Sequence, residues 1–177
     1  MPIRTGFRTQ LLPRMKSISL GVFLAGTLTL APTPGEAQSP RPATPYTAKH
    51  LYSETADPAA DIKAGLAQAK REHKRVILDF GGDWCGDCQV LDIYFHQAPN
   101  QQLLEKHFVV VHVWIGHMDT HIDVAAKYGV PINKGVPALA VLSPTGKVLY
   151  SQGTGEFRDM RHMDSSSVTE FLEKWKS

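Results

Sequence analysis

Cysteine is scarce in this chain, with two among 177 residues, Cys85 and Cys88. Three positions apart, they are too close to staple distant segments, which excludes a fold built on a disulfide framework. Long apolar runs are missing as well. The uncharged stretch from Ile18 to Leu30 is shorter than the roughly 20 residues a membrane-spanning helix needs, and Ala31-Pro32-Thr33-Pro34-Gly35 breaks it at once. No internal repeat is present. Nor does one sign of charge dominate: the formal net charge is +2, and without residues 1–37, which hold four of the 19 basic and one of the 17 acidic residues, it falls to about −1. That balance leaves no basic face for nucleic acid or anionic lipid, and neither partner is expected.

The remainder has ordinary globular composition, 42% hydrophobic and 20% charged, enough for one core. Arg4, Arg8, Arg14 and Lys16 precede the Ile18–Leu30 run, and Gly35 and Ala37 meet the small-residue requirement of a signal peptidase. Residues 1–37 therefore read as a secretory signal cleaved before Gln38, and the mature chain is expected to be periplasmic or secreted. Residues 38–56 begin with the proline-rich Gln38-Ser39-Pro40-Arg41-Pro42 and read as a largely disordered leader, with the folded domain over residues 57–177.

Asp57-Pro58 is an N-cap followed by proline at the first helical position, and Ile62, Leu66 and Ala69 continue at helical spacing to about His73. Val76-Ile77-Leu78, ended by Gly81-Gly82, predicts a short buried strand. Val90, Leu91, Tyr94 and Phe95 mark one face of a helix from Cys85 to about Gln97, ended ahead of Pro99. A short helix near residues 101–106, a β-branched strand from Phe108 to Trp114 and a helix near 121–128 follow. Strands at 138–142 and 147–151 flank the turn Ser143-Pro144-Thr145-Gly146, and Val168, Phe171, Leu172 and Trp175 give a closing helix. The alternation implies an α/β fold with a mixed sheet covered on both faces. Tyr94, Phe95, Phe108 and Trp175 take packing roles, and Trp114 stands at the sheet edge.

The C-x-x-C pair thus starts a helix. There the unpaired N–H groups and the helix dipole favour an anion, so Cys85 is the expected nucleophile, with its thiolate stabilised relative to a free thiol. Cys88, one turn further in, is placed to attack a mixed disulfide and close the redox-active Cys85–Cys88 bond.

Val76-Ile77-Leu78-Asp79-Phe80 followed by Trp84-Cys85-Gly86-Asp87-Cys88 resembles the strand, loop and active-site helix of thioredoxin-family proteins. The resemblance implies a three-layer α/β/α sandwich with a mixed central sheet. It also implies that Asp79, six residues before the first cysteine, is a buried carboxylate with a raised pKa that accepts the proton of the second cysteine. Trp84 matches the family tryptophan beside the nucleophile. Downstream, Gly135-Val136-Pro137-Ala138 resembles the family loop with a cis-proline, in which Pro137 would present the backbone of Val136 to an extended substrate segment. Two departures stand out. Asp87 places a like charge near the thiolate and should raise the Cys85 pKa, and Pro131-Ile132-Asn133 reads as an insertion that reshapes the substrate groove.

The expected function is an exported thiol–disulfide oxidoreductase acting on protein disulfides, as a reductant recharged by a membrane electron donor. It is expected to be a monomer, with no cofactor and no metal. A rival reading is a copper or zinc carrier that joins Cys85 and Cys88 to His112, His117 or His121, the last two sharing a face if helical. A redox-inert scaffold is the third.

Overall fold

The computed structural model describes residues 49–177. The expected signal and the first part of the leader lie outside them. Helix α1 (Pro58–Glu72) is capped by Asp57, whose carboxylate accepts from the N–H groups of Ala59 and Ala60 at 2.9 and 3.3 Å. Then come β1 (Arg75–Gly81), α2 (Gly86–Phe95), α3 (Asn100–His107), β2 (Phe108–Trp114) and α4 (Ile122–Lys127). A 3-10 turn (Ile132–Lys134) precedes β3 (Ala138–Leu142) and β4 (Val148–Ser151), and α5 (Ser165–Trp175) closes the chain. Every expected helix and strand of the domain is present, with ends differing by a residue or two.

The four strands lie in the order β2-β1-β3-β4, with β1 parallel to β2 and the other two pairings antiparallel. Alternation along the strands splits the core in two. Val76, Leu78, Phe80, Val109, Val111 and Val113 join Ile62 of α1 and Ala125 of α4 on one face. Ile77, Leu139 and Val141 join Leu91 and Phe95 of α2 with Phe171 and Leu172 of α5 on the other. This is the thioredoxin-like α/β/α sandwich with a mixed central sheet. Trp114 ends the edge strand β2, where its ring meets His121 edge-on.

The ordered part of the domain begins earlier than residue 57. Tyr52 is 3% exposed, and the N–H groups of Leu51 and Tyr52 donate to one oxygen of Asp83 at 2.8 and 3.1 Å. Gln89 of α2 holds Lys49 from both sides, accepting from its N–H at 3.0 Å and donating to its carbonyl at 2.9 Å. The leader expected over 38–56 is thus corrected for its last part. Residues 49–52 are an extended strap tied down by side chains of other elements, a mode that leaves no periodicity in sequence.

Leu139, fully buried near the start of β3, packs under α2 and α5. Leu139→Ala is expected to cost about 2–5 kcal/mol, measured by urea unfolding of the disulfide form; a loss well under 1 kcal/mol would mean that this face of the core is loosely packed.

Candidate active site

Gly81-Gly82-Asp83-Trp84 carries the chain from the end of β1 to Cys85, the N-cap of α2. Glycine at 81 is a packing requirement: a Cβ there would stand 2.6 Å from the Tyr52 hydroxyl and 2.8 Å from Cys88 Sγ. Those two atoms therefore close on the same small space beside the backbone. Cys85 and Cys88 form a disulfide, 6% and 1% exposed. The N–H of Cys88 donates to Cys85 Sγ at 3.1 Å, so the sulfur caps the helix with the favourable dipole pointing at it.

Cys85 Sγ also lies 3.6 Å from the carbonyl oxygen of Val136, next to the cis Val136–Pro137 bond. Gln152 steadies that loop. Its side chain donates to the Pro137 carbonyl at 3.2 Å and accepts from the Leu139 N–H at 3.1 Å. Trp84, 46% exposed, donates from its indole to the Gly116 carbonyl at 2.6 Å and stacks on His117 with centroids 5.4 Å apart. The fold thus brings Trp84, Cys85, Cys88, Val136 and Pro137 to one end of the molecule, with Asp79 beneath.

Asp79 is 2% exposed, in mid-strand on the face covered by α2. Its Oδ2 accepts two hydrogen bonds, from the Tyr52 hydroxyl at 2.8 Å and from His112 Nδ1 at 3.0 Å. Its Oδ1 has no partner among the described residues. Asp79 and His112 are direct cross-strand neighbours in the parallel β1–β2 register, and the Tyr52 and His112 rings meet edge-on at 5.1 Å. Burial, with the charge of Asp79, pushes the Tyr52 phenol well above its ordinary range, so it stays a donor. Burial works against protonation of His112, but the hydrogen bond and charge of Asp79, helped by Asp92 and Asp83, prevail and raise its pKa. Sequence reasoning missed Tyr52 altogether and met His112 only as a possible metal ligand.

The charge of Asp87 is not left facing the sulfurs. Asp87 is 7% exposed, and Arg161 clamps it: Oδ1 accepts from the backbone N–H at 3.0 Å and from Nε at 3.1 Å, and Oδ2 from the guanidinium at 3.0 Å. A cation thus sits against the carboxylate whose charge was expected to raise the Cys85 pKa, a partner the local motif did not disclose. Pro131-Ile132-Asn133 does not enter the Cys85–Val136 contact. It lines a separate surface cavity of about 470 Å³ with Met118 and Ile122.

The three histidines proposed as metal ligands go to different partners. His112 bonds Asp79, His117 stacks on Trp84, and His121, the N-cap of α4, contacts the Trp114 carbonyl at 2.8 Å. Only His121 adjoins a helix, so the shared helical face does not exist, and no group of three metal-ligating side chains is assembled among the described residues.

Two outcomes follow from these charges. Arg161→Gln leaves the Asp87 carboxylate uncompensated, so the Cys85 thiol pKa, read from thiolate absorbance in the reduced protein, should rise, and Asp87→Asn in the same chain should reverse the rise; an unchanged pKa would detach this pair from the cysteine. The His112–Asp79 pair stabilises the fold fully below the free imidazole pKa of about 6.5 and progressively less as pH climbs through the raised folded value. The stability gap between wild type and His112→Gln should therefore be widest below about pH 6.5 and narrow toward alkaline pH; a gap independent of pH would argue against the ion pair.

A family model described as thioredoxin-like matches residues 57–144. Thioredoxin-3 of Dictyostelium discoideum is 35% identical over 60 residues, 34% of this chain and 55% of that protein. The thiol:disulfide interchange protein DsbD 2 of Pseudomonas aeruginosa is 30% identical over 117 residues, 63% of this chain and 19% of that protein. The chain thus spans about half the length, or less, of these curated relatives. Among solved structures, the disulphide isomerase from Xylella fastidiosa Temecula1 is 37% identical with a TM-score of 0.68, over 72% of this chain and 98% of that one. With its C-x-x-C pair at the start of α2 and this likeness over the domain, the chain belongs to the thioredoxin-like family of disulfide oxidoreductases.

Proposed function

We propose that the chain is an exported protein-disulfide reductant in which Cys85 attacks, Cys88 resolves and Asp79 takes the proton. The observation that carries this reading is the Cys85–Cys88 disulfide at a helix N-terminus, with Cys85 Sγ 3.6 Å from the Val136 carbonyl and a buried carboxylate below. In the reduced protein the Cys85 thiolate attacks a substrate disulfide, forming a mixed disulfide and releasing one substrate thiolate. Cys88 then loses its proton to Asp79 and attacks Cys85 Sγ. The second substrate thiolate leaves, and the enzyme disulfide closes. Two electrons have passed to the substrate. Trp84 and the Val136–Pro137 backbone would flank an extended substrate segment, binding it chiefly through main-chain groups.

Export rests on the signal-like residues 1–37, and outside the cytoplasm a dithiol of this kind needs a membrane protein to recharge it. The Pseudomonas relative is named a thiol:disulfide interchange protein, and the Xylella relative a disulphide isomerase, which makes isomerisation the second reading.

The deciding measurement is the reduction potential of the Cys85–Cys88 pair, from equilibration against glutathione buffers. A value near −270 mV, about that of thioredoxin, supports the reductant, and one near about −180 mV the isomerase. In parallel, Cys88→Ser should accumulate mixed disulfides through Cys85; failure to trap any would overturn the enzymatic reading.

A further inference from the structure

We infer that His112 is a positioning residue for the resolving step, the solvent-side end of a Tyr52–Asp79–His112 relay that absorbs the charge change when Cys88 gives up its proton. The inference rests on the role proposed for Asp79. Both donors converge on Oδ2, which is thereby saturated, and leave Oδ1 as the one carboxylate oxygen free to accept a proton. Acceptor and source meet through Tyr52: the hydroxyl that holds Oδ2 and the sulfur of Cys88 both border the space beside Gly81.

The balance of the step explains what an imidazole adds. The starting arrangement of the proposed relay is Asp79 carboxylate with His112 imidazolium, neutral overall and in the direction in which the carboxylate pushes the imidazole. When the Cys88 proton reaches Oδ1, Asp79 becomes neutral and His112 loses the anion that kept it charged. Burial, the largest single influence on His112 and one that opposes its protonation, is then answered only by the charges of Asp92 and Asp83, and the imidazolium releases a proton to solvent. One proton leaves Cys88 and one enters water, while the sulfur–sulfur exchange itself is unchanged and the pair ends neutral as it began. A buried carboxylic acid beside a lasting imidazolium would instead leave an uncompensated buried cation.

The surroundings suit that exit. The His112 side chain retains 27% exposure against 2% for Asp79, and the residue borders a surface cavity of about 700 Å³. Besides Asp79 on β1 and Tyr52 on the strap, the groups facing it are Asp83 before α2, Asp92 on α2, and Asp61 and Arg71 of α1 across the cavity. The Tyr52 phenol, held protonated, fixes Oδ2 but exchanges no proton near neutral pH.

The test separates resolution from attack. Full-length wild type, His112→Gln and Tyr52→Phe are reduced and mixed with a disulfide peptide, and stopped-flow quench records mixed-disulfide formation and its conversion to the enzyme disulfide across pH. Attack by Cys85 should be alike in all three, which also shows that the variants are folded. Resolution in His112→Gln should slow about tenfold near neutral pH, part of the hundredfold or more that a positioned proton-transfer group contributes. That variant should also lose a titration above the ordinary imidazole range that wild type and Tyr52→Phe retain. Equal resolution rates and pH profiles in wild type and His112→Gln would overturn the relay while leaving the oxidoreductase intact. Absence of mixed disulfide in wild type would instead overturn the proposed function beneath it.

Discussion

A carboxylate buried in mid-strand is the constraint around which the site is arranged. Moving an ionised group out of water costs several kcal/mol unless partners restore what hydration supplied, so Asp79 obliges its neighbours to provide donors. The parallel register of β1 and β2 supplies one, His112, directly opposite. The strap before α1 supplies the other, Tyr52, and the strap is itself held by Asp83 and Gln89. Gly81 keeps the space between hydroxyl and sulfur clear. Cross-strand register, strap and glycine, three features distant in sequence, thus serve one buried group.

The sulfurs meet two further fields. The α2 N-terminus points its N–H groups at Cys85, and Asp87, paired with Arg161, sits within the first turn. A carboxylate in that turn suits the helix dipole, and the guanidinium keeps it from acting as a bare anion beside a thiolate. The Arg161 side chain also lies alongside Gly86, the residue next to the nucleophile. Charge near the cysteines is therefore shared between the local motif and a residue 74 positions away.

How much of this was legible in sequence follows from the range of each interaction. Elements governed by local pattern were readable: the Asp57-Pro58 start of α1, the β-branched run of β2 and the apolar face of α2 all appear where periodicity put them. The cysteines and the strand-loop-helix around them were readable because their chemistry is contiguous. The partners of Asp79 and Asp87 were not. Strand register decides that His112 faces Asp79, and nothing in Phe108–Trp114 announces it. Arg161 is an ordinary surface-type residue until the chain folds it back against α2. Tyr52 lies in a stretch whose backbone bonds go to side chains, which gives it neither a period of two nor one of 3.6.

That strap also bears on where the domain should be considered to begin. The family match starts at residue 57, at the cap of α1, so the recurring unit excludes Tyr52. The unit that completes the buried site is longer, since one of the two donors on Asp79 arrives from upstream of the match. Cutting the protein just ahead of residue 57 would keep both cysteines and every described strand and helix, yet leave the central acid short of a hydrogen-bond donor. Among relatives that share the sandwich, the stretch just ahead of the first helix is then a place where one member can differ from another in chemistry without differing in fold.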